Sequence, residues 1–88
     1  MRKGTTESGF TFEVDEEDLN DMEFVELLAN AQEDSLMFPR LIERMLGEEQ
    51  KKALYDHLRN KNGRVPVDAT IDIVTEILTL AGEDTKNS

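Results

Sequence analysis

From Val67 to Ala81 the apolar residues fall on two adjacent helical rows. Val67, Ile71, Val74, Leu78 and Ala81 form one, and Thr70, Ile73, Ile77 and Leu80 form the other. Together they cover well over ~100° of arc, wider than a surface helix needs. Such a helix is either central in a bundle or keeps one stripe for a partner. In a chain of 88 residues there is room for one core only. With 38% apolar residues and five aromatics (four Phe and one Tyr) that core is thin, so partner contacts can add stability.

Three further helices are predicted upstream. The first begins after Asp15 or Asp18, where carboxylates cap free N–H groups and meet the positive helix end. It carries the rows Leu19, Met22, Val25, Ala29 and Phe24, Leu28, Ala31, and frays between Asn30 and Asp34. Ser35 then reads as the N-cap of a second helix with Leu36, Phe38, Leu41, Ile42, Met45 and Leu46, and with Pro39 in its first turn. Gly47 ends it, and Glu48-Glu49 open a third with Ala53, Leu54, His57 and Leu58 inward. Asn60-Lys61-Asn62-Gly63 is a turn, and Val65-Pro66 directs the chain into the last helix, which runs to about Leu80 with Gly82 after its end. Phe10, Phe12 and Val14 alternate with polar residues as in a short half-buried strand. A lone strand needs a partner for its backbone, so it packs as an extended arm or pairs with another chain. The expectation is an all-α single domain of four helices with an N-terminal extended arm or short strand. Its parts are a flexible 1–9, an arm over 10–14, a helical core over 15–82 and a flexible tail over 83–88.

Charge excludes several functions. Twenty acids against ten bases give a net −10, which disfavours nucleic acid and anionic membranes as partners. Eleven acids and no base lie between Glu7 and Asp34, while Arg40 to Arg64 is weakly basic. There is no cysteine and one histidine, His57, so thiolate zinc sites, thiol nucleophiles and histidine relays are excluded. No apolar run nears the ~18 residues of a membrane span, and no secretory signal opens the chain; a cytosolic protein is expected. Carboxylate pairs such as Glu16-Glu17 and Glu48-Glu49 stand at helix starts, where dipole compensation accounts for them.

Two short motifs invite a ligand. Asn60, Asn62, Gly63 and Val65 have the offsets of part of a calcium loop, but Leu58 and Ala69 stand where acids are required. Asp34-Ser35-Leu36 resembles the attachment site of acyl and peptidyl carrier proteins, whose serine bears phosphopantetheine at a helix N-terminus. That resemblance makes a carrier with modified Ser35 the alternative function. Against it, the long loop of carriers before this serine is missing, and Pro39 interrupts the pattern after it. No catalytic, metal or cofactor site is otherwise expected. Met22, Met37, Met45, Phe24 and Phe38 are adaptable apolar groups that fill a core or meet a partner.

The order of blocks along the chain resembles the tail assembly chaperones of long-tailed (siphovirus-type) bacteriophages of Gram-positive hosts. The matching stretches are Gly9-Phe10-Thr11-Phe12-Glu13-Val14-Asp15, Glu23-Phe24-Val25-Glu26-Leu27-Leu28, Leu46-Gly47-Glu48-Glu49-Gln50, Asp56-His57-Leu58-Arg59, Gly63-Arg64-Val65-Pro66-Val67 and Lys86-Asn87-Ser88. The resemblance implies a small, acidic, largely helical, non-enzymatic protein of phage or prophage origin. It would act in the host cytoplasm, bind the tape measure protein and the tail tube protein, and be absent from the finished virion. Under that implication Phe10, Phe12, Phe24, Ile73, Ile77 and Leu80 are the expected contact residues; the sequence leaves monomer and homo-oligomer both open. The resemblance also implies a longer form made by a −1 ribosomal slip; Thr85-Lys86-Asn87 permits the slippery run A-AAA-AAY. An uncharacterised protein-binding adaptor is the third reading.

Overall fold

The computed structural model describes residues 1–86, with side chains for residues 1–82. The N-terminus is a hairpin, not a flexible lead. Strand β1 (Arg2–Thr5) pairs antiparallel with β2 (Thr11–Val14), with Lys3 opposite Glu13 and Gly4 opposite Phe12. The expected arm over 10–14 thus finds its strand partner within the same chain. Glu7, Ser8 and Gly9 close the hairpin: the Gly9 N–H donates to the Thr6 carbonyl, the Thr6 N–H donates to the Phe10 carbonyl, and Gly9 takes φ 96°. A turn followed by a glycine of positive φ is a common three-residue hairpin closure. Polar composition had hidden this strand, because β1 contributes no large apolar side chain.

Gly4 has a specific reason to be glycine. The Phe12 ring lies across it, and a Cβ added there would meet the ring at 2.6, 3.0 and 3.3 Å. Phe12 is 2% exposed, and with Phe10 and Val14 it forms the apolar face that the hairpin lays on the helices.

Two acidic caps divide the first expected helix. The Asp15 carboxylate accepts from the Glu17 N–H and starts α1 (Glu16–Leu19); the Asp21 carboxylate accepts from the Glu23 N–H and starts α2 (Met22–Glu33). Arg44 fastens the break to the next helix, bonding Asp21 at 2.8 Å and lying 3.5 Å from Asp18. Ser35 is not the N-cap it was expected to be. The Asp34 carboxylate accepts from the Leu36 N–H and opens a 3-10 turn, Ser35–Met37, which leads into α3 (Phe38–Leu58) with Pro39 in the first turn. Inside α3, Gly47 (φ 83°, ψ 167°) is non-helical and separates arms 38–46 and 48–58. The second and third expected helices are therefore present as two arms of a kinked α3. In the second arm Leu54 is buried, whereas Ala53 and His57, expected inward, are exposed.

Gln50 joins the kink to the sheet. Its amide oxygen accepts from the Glu13 N–H at 2.7 Å, and its amide nitrogen donates to the Glu13 carbonyl at 2.7 Å and the Leu46 carbonyl at 2.8 Å. One side chain thereby covers the outer edge of β2 at Glu13 and satisfies a carbonyl freed where the first arm ends.

The Asn60 turn forms as expected and repeats the hairpin closure. The Gly63 N–H donates to the Asn60 carbonyl, the Asn60 N–H donates to the Arg64 carbonyl, and Gly63 has φ 80°. Helix α4 (Val67–Lys86) runs beyond the expected end, through Gly82 and into the expected tail. Residues 87–88 of that tail lie outside the described residues.

The breadth of the apolar arc on α4 comes from a central position. Ile73, Val74, Ile77 and Ala81 are buried with Phe12, Leu41, Ile42 and Leu54 in one core. Thr70, Ile73 and Ile77 of one row and Val74 and Ala81 of the other are buried within the chain, while Val67 at the start of the helix stays exposed.

Candidate functional site

Five of the six expected contact residues form no surface. Phe10, Phe12, Phe24, Ile73 and Ile77 are buried in the core, and Leu80 is half-buried against it. As side chains of the folded chain they are unavailable to a partner. The pattern of alternation and helical rows had correctly marked them as apolar-facing, but the facing elements belong to this same chain.

The exposed apolar surface lies elsewhere. A groove of about 340 Å³ opens where the 3-10 turn, the start of α3 and the start of α4 converge. Leu36, Phe38, Pro39, Tyr55, Val67 and Ile71 line it. Leu36 is 83% exposed and Val67 65% exposed, so two branched apolar side chains stand at its lips in water. Each sits at an element boundary. Leu36 is turned outward by the 3-10 geometry that Asp34 initiates, and Val67 is the first residue of α4. The polar side chains in the lining are the hydroxyl-bearing Ser35, Tyr55 and Thr70, and the Thr70 hydroxyl already donates to the Pro66 carbonyl at 2.7 Å. Its wall is mostly apolar, and such a groove is suited to covering an apolar side chain.

A second cleft, of about 620 Å³, runs between α1, α2 and the C-terminal half of α4. Leu19, Leu28, Leu78 and Ala81 make its floor, and Glu16 and Glu17 its rim. The outer face of α2 adds Met22, Val25 and Ala29, all exposed, while Phe24 and Ala31 of the same helix are buried. The two rows read from the sequence of this helix have thus parted, one to the core and one largely to solvent.

The other candidates resolve locally. Ser35 is exposed, but it opens a three-residue 3-10 turn, so no long helix presents its N-terminal amides there. The Asn60 side-chain oxygen accepts from the Asn62 and Arg64 N–H groups, which occupies the atom that a calcium ion would need. His57 bonds the Ser8 hydroxyl at 3.0 Å through Nε2, and its ring centroid lies 5.5 Å from that of Phe10. Together with the Glu7 N–H, which donates to the Glu76 carboxylate at 2.7 Å, these contacts tie the hairpin tip to α3 and α4. Among the described residues no three His, Asp or Glu side chains converge as metal ligands. No helix among them is long and apolar enough to cross a membrane.

The chain matches no protein-family model, no curated protein and no solved structure.

Proposed function

We propose that this protein is a non-enzymatic chaperone of phage tail assembly that holds apolar helical segments of the tape measure protein, and of the tail tube protein, in the host cytoplasm until the tube forms. The observation that carries this reading is the groove bordered by Leu36 and Val67, an open apolar surface on a protein of net charge −10. A tape measure protein is a long helical chain whose apolar seams are uncovered before assembly. An apolar groove covers part of such a seam, and the protein's net negative charge keeps the complex dispersed. The contacts fall on Leu36, Phe38, Tyr55 and Val67, in place of the buried phenylalanines and isoleucines named by the family resemblance.

Co-expression with a phage tape measure protein tests the reading. The native chain should raise the soluble fraction of the tape measure protein, and the double variant Leu36→Asp/Val67→Asp should remove most of that gain. Both positions are exposed, so the variant's own fold should be retained, which circular dichroism verifies. Equal tape measure solubility with and without the native chain refutes the proposal.

A further inference from the structure

The second apolar surface lies on a different element and carries its own electrostatic signature. Met22, Val25 and Ala29 stand at positions i, i+3 and i+7 of α2, on the face opposite Phe24 and Ala31. Met22 is 71% exposed and Val25 46% exposed. Ala29 is exposed as well, so among the described residues α2 is covered on its Phe24 and Ala31 side and open on the other.

The charges on this helix are all of one sign. Glu23, Glu26 and Glu33 lie in α2, Asp34 follows as its C-cap, and no Lys or Arg occurs between them. Glu26 and Glu33 stand four residues beyond Met22 and Ala29 and so border the apolar stripe. Glu33 occupies the last turn, at the negative end of the helix dipole, where a cation would be favoured and a carboxylate is not. Arg44 already serves Asp18 and Asp21, Lys51 serves Glu43, and Arg59 serves Asp56. Among the described residues no cation pairs with Glu23, Glu26 or Glu33. Folding has left this face both greasy and uncompensated.

We infer that the outer face of α2 is a docking strip for a cationic amphipathic helix of another protein, one with apolar residues at i, i+3 and i+7 flanked by Lys or Arg. Such a segment covers Met22, Val25 and Ala29 while its basic flanks meet Glu26, Glu33 and Asp34. Charge decides the occupant. A second copy of this chain, itself of net charge −10, would set the same carboxylates against this strip, whereas a basic helix is drawn toward it and held in register by it. The inference stands on α2 alone and is independent of what the groove at Leu36 and Val67 holds.

The test titrates the full-length, isotope-labelled protein with three synthetic peptides of about 18 residues, some five helical turns. One is an amphipathic Leu/Lys helix, one carries Glu in place of Lys, and one has the Leu/Lys composition scrambled so that no apolar face forms. The amphipathic Leu/Lys peptide should bind, with amide shifts concentrated in Met22–Glu33. The other two should bind roughly tenfold or more weakly. Val25→Asp, and separately Glu26→Lys/Glu33→Lys, should each weaken the Leu/Lys peptide about tenfold, as should raising the salt from roughly 50 to 500 mM. All of these positions are exposed, and the second variant keeps every apolar side chain, so a loss seen in both does not reflect misfolding. Four results overturn the inference. They are equal binding of the scrambled peptide, shifts centred on the Leu36–Val67 groove, unchanged affinity in either variant, and a dimer of the free protein that Val25→Asp disperses.

Discussion

Replacing Gly4 by alanine sets two known effects against each other in one residue. In the unfolded chain alanine has less backbone freedom than glycine, which by itself would stabilise the fold by about 0.4–1 kcal/mol where the native conformation accepts it. The native hairpin does not. The new methyl would sit 2.6 Å from Cζ of Phe12, with two further ring atoms at 3.0 and 3.3 Å. The ring cannot swing into water, because Phe12 is buried at the centre of the hairpin's inner face. Its alternatives are an off-rotamer ring or a shifted β1, and overpacking of that kind costs about 1–3 kcal/mol. The clash therefore outweighs the entropy gain, and Gly4→Ala should destabilise the protein by about 1–2 kcal/mol. That is a large fraction of the ~4–13 kcal/mol expected for a domain of this size.

Urea unfolding followed by circular dichroism measures the change. A double-mutant cycle identifies its cause. In a Phe12→Leu background, which is itself less stable, the aromatic ring is gone and the alanine methyl has room. The penalty of Gly4→Ala should then fall by about 1 kcal/mol or more. A neutral or stabilising Gly4→Ala in the native background refutes the close-approach argument, and so does an identical penalty in both backgrounds.

The kink in α3 makes a second prediction of a different kind. A Cβ at Gly47 would meet nothing within 4 Å, so the cost of Gly47→Ala comes entirely from the backbone at φ 83°, ψ 167°. It should destabilise by about 1–3 kcal/mol in thermal or urea unfolding, with no compensating core variant able to relieve it. Gln50→Glu keeps the size of the side chain but removes the two donors that serve the Glu13 and Leu46 carbonyls. It should lower stability by about 1–3 kcal/mol in urea unfolding, although the Glu13 N–H keeps a carboxylate oxygen as acceptor; unchanged stability would mean that the two donated bonds do not hold the strand edge.

The helical rows could be read from the chain because they depend on spacing alone. Leu41, Ile42, Met45 and Leu46 before Gly47, Leu54 after it, and Ile73, Val74, Ile77 and Ala81 in the last helix are all buried where periodicity placed them on apolar faces. The turn at Asn60–Gly63 was equally legible, since asparagine and glycine favour that geometry locally. Strand β1 was not. Arg-Lys-Gly-Thr has no alternation to detect, and it is a strand only because β2 lies beside it and the Phe12 ring covers Gly4. The end of the first helix at Asn20 was missed for a related reason. Asp15, Asp18 and Asp21 are each competent caps, and the salt bridges from Arg44 to Asp18 and Asp21 join the break between the two helices to α3.

The candidate contact residues show the same division. Sequence pattern identifies which side chains avoid water, but it cannot say whether the cover comes from the same chain or from another. Phe10, Phe12, Ile73 and Ile77 are covered internally because the hairpin folds back over α3 and α4. Met22, Val25, Leu36 and Val67 are left outside because, among the described residues, no element lies on them. Composition alone set the negative charge and the absence of thiol chemistry. The location of the open surface was decided by packing, because eighty-eight residues cannot enclose every apolar face they present.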